Sequence, residues 1–129
     1  MPNQAKKTVM IVEDDPFVMD IYETKLEKEG FGVILAVNGA EAIKKLEEES
    51  SKPDLILLDI VMPHMDGLSV LKEIRGKDGL KEIPVVLLTN LSQKEEIEKG
   101  FELGAQDYLI KSHFTPSEVM EKVSKYLTG

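Results

Sequence analysis

Five polar residues in this sequence each follow closely on a short apolar run, and their types suit chemistry on a phosphoryl group. Asp14 and Asp15 follow a first run, Asp59 a second, Thr89 a third and Lys111 a fourth. A short apolar run of this kind is typical of a strand buried on both faces. If the runs are parallel strands of one sheet, their carboxyl ends meet at the edge where open α/β sheets bind ligands. We therefore expect the five side chains to converge.

This set of side chains predicts phosphoryl transfer assisted by a metal ion. Carboxylates crowded together raise one another's pKa, and a divalent cation relieves that conflict. Mg²⁺ suits such a site because it binds one or two carboxylates together with phosphate oxygens. Lys111 can hold a phosphoryl oxygen as a point charge, and the Thr89 hydroxyl can donate to another. One carboxylate could attack phosphorus and form an acyl phosphate.

The segments that would position these residues alternate between strands and helices. Helical spacing of apolar residues between the runs predicts a helix after each strand. The predicted strands are residues 8–12, 32–36, 55–58, 83–88 and 107–110. Strict alternation predicts a doubly wound α/β fold, with a five-stranded parallel sheet and helices on both faces.

Helix boundaries carry their own signals. Pro16 suits the first turn of the first helix, Asp66 can cap the third, and Gly30 and Gly104 are predicted helix ends. In three further places a polar residue precedes a Glu by three positions, as in a capping box. These pairs are Asn38 with Glu41, Ser92 with Glu95, and Thr115 with Glu118.

Length and charge limit the number of domains and the class of partner. The 129 residues suit a single domain over 1–129, with residues 1–7 as a polar N-terminal extension. A formal net charge of −8 argues against direct binding to nucleic acid, because phosphate contacts need Lys and Arg. Without cysteine the chain has no disulfide or thiolate chemistry. His64 and His113 lack a partner histidine at metal-ligand spacing, so we expect no zinc site.

The location follows from what the sequence lacks. The N-terminal residues carry no apolar core of a signal peptide. No apolar run approaches the ~20 residues of a membrane span. We therefore expect a cytoplasmic protein that does not enter a membrane.

The motifs around the five residues closely resemble the receiver domain of two-component response regulators, of the chemotaxis-regulator type. The resemblance extends from residue 9 to residue 127 and rests on separated positions that match in order. The matching text is Val12-Glu13-Asp14-Asp15, Asp59-x-x-Met62-Pro63-x-x-Asp66-Gly67, Leu88-Thr89, Gly104-Ala105-x-Asp107-Tyr108-Leu109 and Ile110-Lys111. It implies a flavodoxin-like strand order of 2-1-3-4-5.

The resemblance also implies a role for each site residue. Asp59 would accept a phosphoryl group from a phosphohistidine on a sensor histidine kinase or a histidine phosphotransfer protein. Asp15 and Asp59 would bind Mg²⁺ directly, with the backbone carbonyl of Val61, and Asp14 would act through metal-bound water. Lys111 would hold a phosphoryl oxygen.

The same resemblance implies a switch rather than an enzyme that turns over a substrate. Thr89 would move toward the phosphoryl group and Tyr108 would turn inward behind it, although Tyr108 also suits a purely structural strand aromatic. The face formed by the fourth helix, fifth strand and fifth helix would then meet an output partner, which the sequence does not identify.

Four positions near the site depart from the family pattern or bear on the lifetime of the acyl phosphate. Ser112 replaces the usual proline after the lysine, and we predict a trans Lys111–Ser112 bond because a cis non-proline bond costs ~2.5–4 kcal/mol. Asn90 replaces a small residue and would narrow the site or add a hydrogen bond. Val61 and Leu91 are apolar and cannot orient an attacking water, so we expect a long-lived acyl phosphate.

Three other functions compete with a switch. An aspartyl phosphatase commonly carries a general acid two residues after its nucleophile, where this chain has Val61. A flavodoxin-like flavin carrier needs a Ser/Thr/Gly-rich loop after its first strand, where this chain is acidic. A constitutive adaptor with the same fold, which needs no phosphorylation, remains an alternative because Asn90 and Ser112 depart from the family pattern. The sequence suits a stand-alone regulator or a receiver cut from a longer protein.

Overall fold

The computed structural model describes residues 7–48, 52–63 and 65–128, which form a central sheet covered by helices. The strands are β1 (Thr8–Val12), β2 (Gly32–Ala36), β3 (Leu55–Leu58), β4 (Val85–Thr89) and β5 (Asp107–Ile110). The helices are α1 (Pro16–Lys28), α2 (Gly39–Glu48), α3 (Gly67–Arg75), α4 (Lys94–Glu102) and α5 (Pro116–Thr128), with a 3₁₀ turn at Lys111–His113. His64 and most of the predicted N-terminal extension lie outside the described residues. No helix in the described part of the chain is long and apolar enough to cross a membrane.

The five strands form one parallel sheet in the order β2-β1-β3-β4-β5, as predicted. Strand β1 lies between β2 and β3, with Val12 opposite Leu58 at its carboxyl end. At the other side of the sheet Thr89 lies opposite Ile110. The residues that follow these strand ends are therefore brought to one edge of the sheet.

Two apolar cores cover the two faces of the sheet. All four residues of β3 are buried, and they alternate between the cores, with Ile56 and Leu58 in one and Leu55 and Leu57 in the other. Helices α2, α3 and α4 pack on the first face, and α1 and α5 on the second. Burial on both faces explains why β3 is a continuous apolar run rather than an alternating one.

The predicted capping box at Thr115 and Glu118 is complete, and the cap at Asn38 is present with a shifted second bond. The Glu118 N–H donates to Thr115 Oγ1 at 3.1 Å and the Thr115 N–H donates to Glu118 Oε1 at 2.8 Å. At the start of α2 the Glu41 N–H donates to Asn38 Oδ1 at 2.8 Å, but Glu41 Oε1 accepts at 2.8 Å from the N–H of Val37, one residue before the cap, instead of from that of Asn38. Asp66 caps α3 through the Ser69 N–H at 2.9 Å.

The predicted capping box at Ser92 is wrong. Helix α4 begins one residue later, with Gln93 as the N-cap and without a side-chain cap bond. The residue before Ser92 is held by two bonds: the Leu91 N–H donates to Thr89 Oγ1, and the Leu91 carbonyl accepts from the Tyr108 hydroxyl. These bonds tie the loop before α4 to β4 and β5.

The start of β4 was also predicted too early. The strand begins at Val85 rather than at Ile83. Pro84 has no N–H to donate to a neighbouring strand, and the Ile83 N–H donates to the Leu80 carbonyl within the preceding turn.

Candidate functional site

Asp59 lies at the carboxyl end of β3, directly after four buried apolar residues. It is only 7% exposed, and its N–H donates to the Val12 carbonyl at 3.1 Å. This bond ties the end of β3 to the end of β1. A buried carboxylate needs charged or hydrogen-bonding partners, so the neighbours of Asp59 decide what it can do.

Lys111 supplies the positive partner of Asp59. Its Nζ lies 3.2 Å from Asp59 Oδ2 and 2.7 Å from Glu13 Oε1. The first contact agrees with the expectation that both residues lie at this edge of the sheet. The second contact brings in Glu13, which is 4% exposed and was not among the predicted site residues.

The charges in this cluster perturb one another. Burial raises the pKa of Glu13, and the hydrogen bond from Lys111 only partly offsets that effect. Burial alone would lower the pKa of Lys111, but the contacts with Glu13 and Asp59 outweigh it and the pKa of Lys111 is raised. Lys111 therefore stays protonated at neutral pH and holds a positive charge beside Asp59.

Three carboxylates form the acidic part of the site. Among the described residues, Glu13, Asp14 and Asp59 each place a carboxylate oxygen within 4.8 Å of the other two. Glu13 and Asp59 are buried, whereas Asp14 is exposed. Three hard oxygen donors open to solvent on one side fit a small divalent cation such as Mg²⁺.

Asp15, one of the predicted metal ligands, lies outside this cluster. Its Oδ1 accepts the N–H of Phe17 at 2.9 Å and the N–H of Val18 at 3.4 Å, as the N-cap of α1. The sequence carried the signal for this position. Pro16 occupies the first helical position, which makes the residue before it the N-cap and leaves Glu13 and Asp14 for the site.

Thr89 and Tyr108 lie on the side of Asp59 away from β1, on β4 and β5. Thr89 ends β4 and is 1% exposed, and its Oγ1 accepts the Leu91 N–H at 3.5 Å. Tyr108 is buried, and its hydroxyl donates to the Leu91 carbonyl at 2.8 Å. Tyr108 thus already points inward, behind the loop that follows Thr89.

The loop between β3 and α3 completes the surroundings of Asp59. The Val61 N–H donates to Asp59 Oδ1 at 3.4 Å, and its side chain is exposed. Gly67 packs against the Asp59 main chain so closely that a Cβ there would lie 2.1 Å from the Asp59 carbonyl oxygen. Glycine at this position lets α3 start directly beneath the site.

The two departures from the family pattern lie beside each other. The Ser112 N–H donates to Asn90 Oδ1 at 3.1 Å. No peptide bond in the described residues is cis, so the Lys111–Ser112 bond is trans, as predicted.

Comparison with known proteins agrees with this geometry. The family model described as the response regulator receiver domain matches residues 9–124. The chain belongs to this family. It is a receiver domain, the phosphorylation-switched signalling module of two-component systems.

Individual relatives match over nearly the whole chain. The alkaline phosphatase synthesis transcriptional regulatory protein PhoP of Bacillus subtilis (strain 168) is 40% identical over 123 residues, which cover 94% of this chain and 48% of PhoP. The receiver domain spans about half the length of the curated relatives it matches.

Two solved structures have the same fold. The phosphorylated cyanobacterial phytochrome response regulator RcpA is 31% identical, with a TM-score of 0.85 over 96% of both chains. The Mn²⁺-bound form of response regulator Rcp1 is 30% identical, with a TM-score of 0.79 over 89% of this chain and 88% of Rcp1.

Proposed function

We propose that Asp59 is the residue of this receiver domain that accepts the phosphoryl group. The observation that carries the proposal is the contact between Asp59 Oδ2 and the Lys111 ammonium, 3.2 Å apart at the carboxyl end of β3. An Asp59 oxygen would attack the phosphorus of a phosphohistidine. The P–N bond would break, an acyl phosphate would form on Asp59, and the released imidazole would take up a proton.

Lys111 and Thr89 would hold the transferred group. Lys111 now bridges Glu13 and Asp59, and its three N–H donors allow it to keep the Glu13 contact while donating to a phosphoryl oxygen. Thr89 Oγ1 accepts a bond from Leu91, which leaves its own proton free to donate to another phosphoryl oxygen. Thr89 ends β4 and Lys111 directly follows β5, so the sheet brings both donors to the same edge.

The metal ion of this reaction would be Mg²⁺, held by Glu13, Asp14 and Asp59 with the backbone carbonyl of Val61. The acidic pair after β1 is then Glu13 and Asp14 instead of the Asp14 and Asp15 of the sequence analysis, because the Asp15 side chain caps α1. The donor set fits a hard cation, and the related Rcp1 has been solved with Mn²⁺. Bound Mg²⁺ would offset the negative charge that develops on the phosphoryl group.

Phosphorylation would be read by Thr89, Tyr108 and the face formed by α4, β5 and α5. A phosphoryl group on Asp59 would draw the Thr89 hydroxyl toward it and so favour the inward position of Tyr108. Val61 and Leu91 would leave the acyl phosphate long-lived, because neither side chain can orient water.

The partners follow from the family. The phosphoryl donor would be a sensor histidine kinase or a histidine phosphotransfer protein in the cytoplasm, and the chain would turn over no small-molecule substrate. The related PhoP is a transcriptional regulatory protein. With a net charge of −8, this domain would act on transcription through an attached or separate output partner rather than by binding DNA itself.

Acetyl phosphate and Mg²⁺ provide a direct test. Intact-mass spectrometry should show the gain of one phosphoryl group within minutes, none when EDTA replaces Mg²⁺, and reversal by hydroxylamine, which cleaves acyl phosphates. Slow loss of the group after removal of the donor would support a long lifetime. A chain that gains no phosphoryl group under any of these conditions would instead be the constitutive adaptor.

A further inference from the structure

Asn90 and Ser112 join the two loops that follow Thr89 and Lys111. The Ser112 N–H donates to Asn90 Oδ1 at 3.1 Å, across 22 positions of sequence. Each residue directly follows one of the two groups that would hold phosphoryl oxygens. The bond therefore connects the Thr89 side of the site to the Lys111 side.

The chemistry of this bond requires both departures from the family pattern. The donor is a backbone N–H, which a proline at position 112 would lack. The acceptor is a side-chain amide oxygen, which a small residue such as alanine at position 90 would lack. Asn90 and Ser112 thus form a pair, because either one alone would leave the other without its partner.

The bond lengthens the connection between β4 and β5. The ladder between these strands ends with Thr89 opposite Ile110, and the Asn90 side chain makes one more link just beyond it. The next residue is also tied to β5, since the Leu91 carbonyl accepts from the Tyr108 hydroxyl at 2.8 Å. The loop after Thr89 is therefore held to β5 and its following turn at two successive residues.

We propose that Asn90 is a positioning residue for phosphoryl transfer. Its bond to the Ser112 N–H fixes the spacing between the main chain that follows Thr89 and the main chain that follows Lys111 before the phosphoryl donor arrives. Because the main chain at both donors is held at this spacing, only a short movement of their side chains is left for the reaction, which favours it. This inference rests on the proposed function, since it gives Asn90 a part in phosphorylation of Asp59.

The test compares the rate of phosphorylation by acetyl phosphate and Mg²⁺ among variants. Asn90→Ala removes the acceptor and should slow phosphorylation about two- to tenfold, the range expected for one exposed hydrogen bond. Ser112→Ala is the matched control, because it keeps the backbone N–H and should phosphorylate at the wild-type rate. Urea unfolding of each variant checks that the fold is retained.

Asn90→Ala could alter the rate by removing the bond to Ser112 or by leaving more space at the site. Repeating the substitution in a Ser112→Pro variant distinguishes these two effects. Ser112→Pro removes the donor, so adding Asn90→Ala to it should slow phosphorylation no further. Equal slowing by Asn90→Ala in the wild-type and Ser112→Pro backgrounds would overturn the inference. So would an Asn90→Ala variant that phosphorylates at the wild-type rate.

Failure of the inference and failure of the proposed function give different results. If the wild-type protein gains no phosphoryl group, the proposed function fails and the inference fails with it. If the wild-type protein gains the group and the variants are phosphorylated at the same rate, only the inference fails. Hydrogen exchange gives a second measurement that needs no phosphorylation: the Ser112 amide should exchange faster in Asn90→Ala, and an unchanged rate would contradict the bond itself.

Discussion

Gly67→Ala should disturb the site through packing alone. A Cβ at position 67 would lie 2.1 Å from the carbonyl oxygen of Asp59 and 2.8 Å from the Cα of Ile60. Both are main-chain atoms, so the clash cannot be relieved by turning a flexible side chain. Either the start of α3 or the main chain of Asp59 must move.

The cost follows from three contributions. Overpacking typically costs about 1–3 kcal/mol. The Gly67 N–H donates to the Ile60 carbonyl at 2.8 Å, and weakening such a bond costs about 0.5–1.5 kcal/mol. The better helix propensity of alanine offsets at most about 1 kcal/mol. We expect Gly67→Ala to lower the free energy of unfolding by about 2 kcal/mol.

Urea unfolding of Gly67→Ala beside Gly76→Ala measures this effect. Gly76 caps the other end of α3 with a negative φ, and a Cβ there would meet only atoms at 3.6 and 3.7 Å, which is ordinary contact. Gly76→Ala should therefore be neutral or stabilising by up to about 1 kcal/mol. Slower phosphorylation of Gly67→Ala would show that the main chain of Asp59, and not only the start of α3, moves. Equal stability of the two variants would refute the close packing of Gly67 on Asp59.

Two further predictions concern the ligand set and the alkaline limit of stability. Glu13→Gln should raise the Mg²⁺ concentration needed for half-maximal phosphorylation about tenfold or more, whereas Asp15→Asn should leave it unchanged because asparagine caps a helix equally well. If Asp15→Asn raised this Mg²⁺ concentration and Glu13→Gln left it unchanged, Asp15 and not Glu13 would be the ligand. Burial and the hydrogen bond from its hydroxyl to Asp107 raise the pKa of Tyr126 to about 12. The proton is held more tightly in the folded state, so this stabilisation is complete below about pH 10 and is lost as pH rises toward 12. Chemical denaturation should show Tyr126→Phe less stable than wild type at pH 8, and the difference in the free energy of unfolding should become smaller above pH 10. A difference that stays constant over this range would contradict the role of the Tyr126 hydroxyl.

The positions that sequence predicted correctly are those set by strand ends. Asp59, Thr89 and Lys111 each lie at the carboxyl end of an apolar run. Parallel pairing of the strands brings these ends together, and the conformation of the connecting loops does not change this. Helix caps were predicted where the partner is local, as at Thr115 and Glu118.

The positions that sequence predicted wrongly depend on contacts between distant segments or on one residue of register. Glu13 was passed over because three acidic residues follow β1 and only the position of Pro16 decides which of them caps α1. The cap predicted at Ser92 was wrong by one residue, since Gln93 is the N-cap of α4. The bond between Asn90 and Ser112 forms only because the loops after β4 and β5 meet. The residues next to Asn90 and Ser112 in the sequence do not indicate that the two loops lie close together.

The measurement that tests the central claim most directly is the mass of the wild-type protein and of Asp59→Asn after incubation with acetyl phosphate and Mg²⁺. The buried carboxylate beside Lys111 should be the acceptor, so wild type should gain one phosphoryl group, with peptide mapping placing it on the segment that contains Asp59. Asp59→Asn, which is close to isosteric, should gain none. A phosphoryl group on Asp59→Asn at the wild-type level would mean that another residue is the acceptor, and would contradict the account.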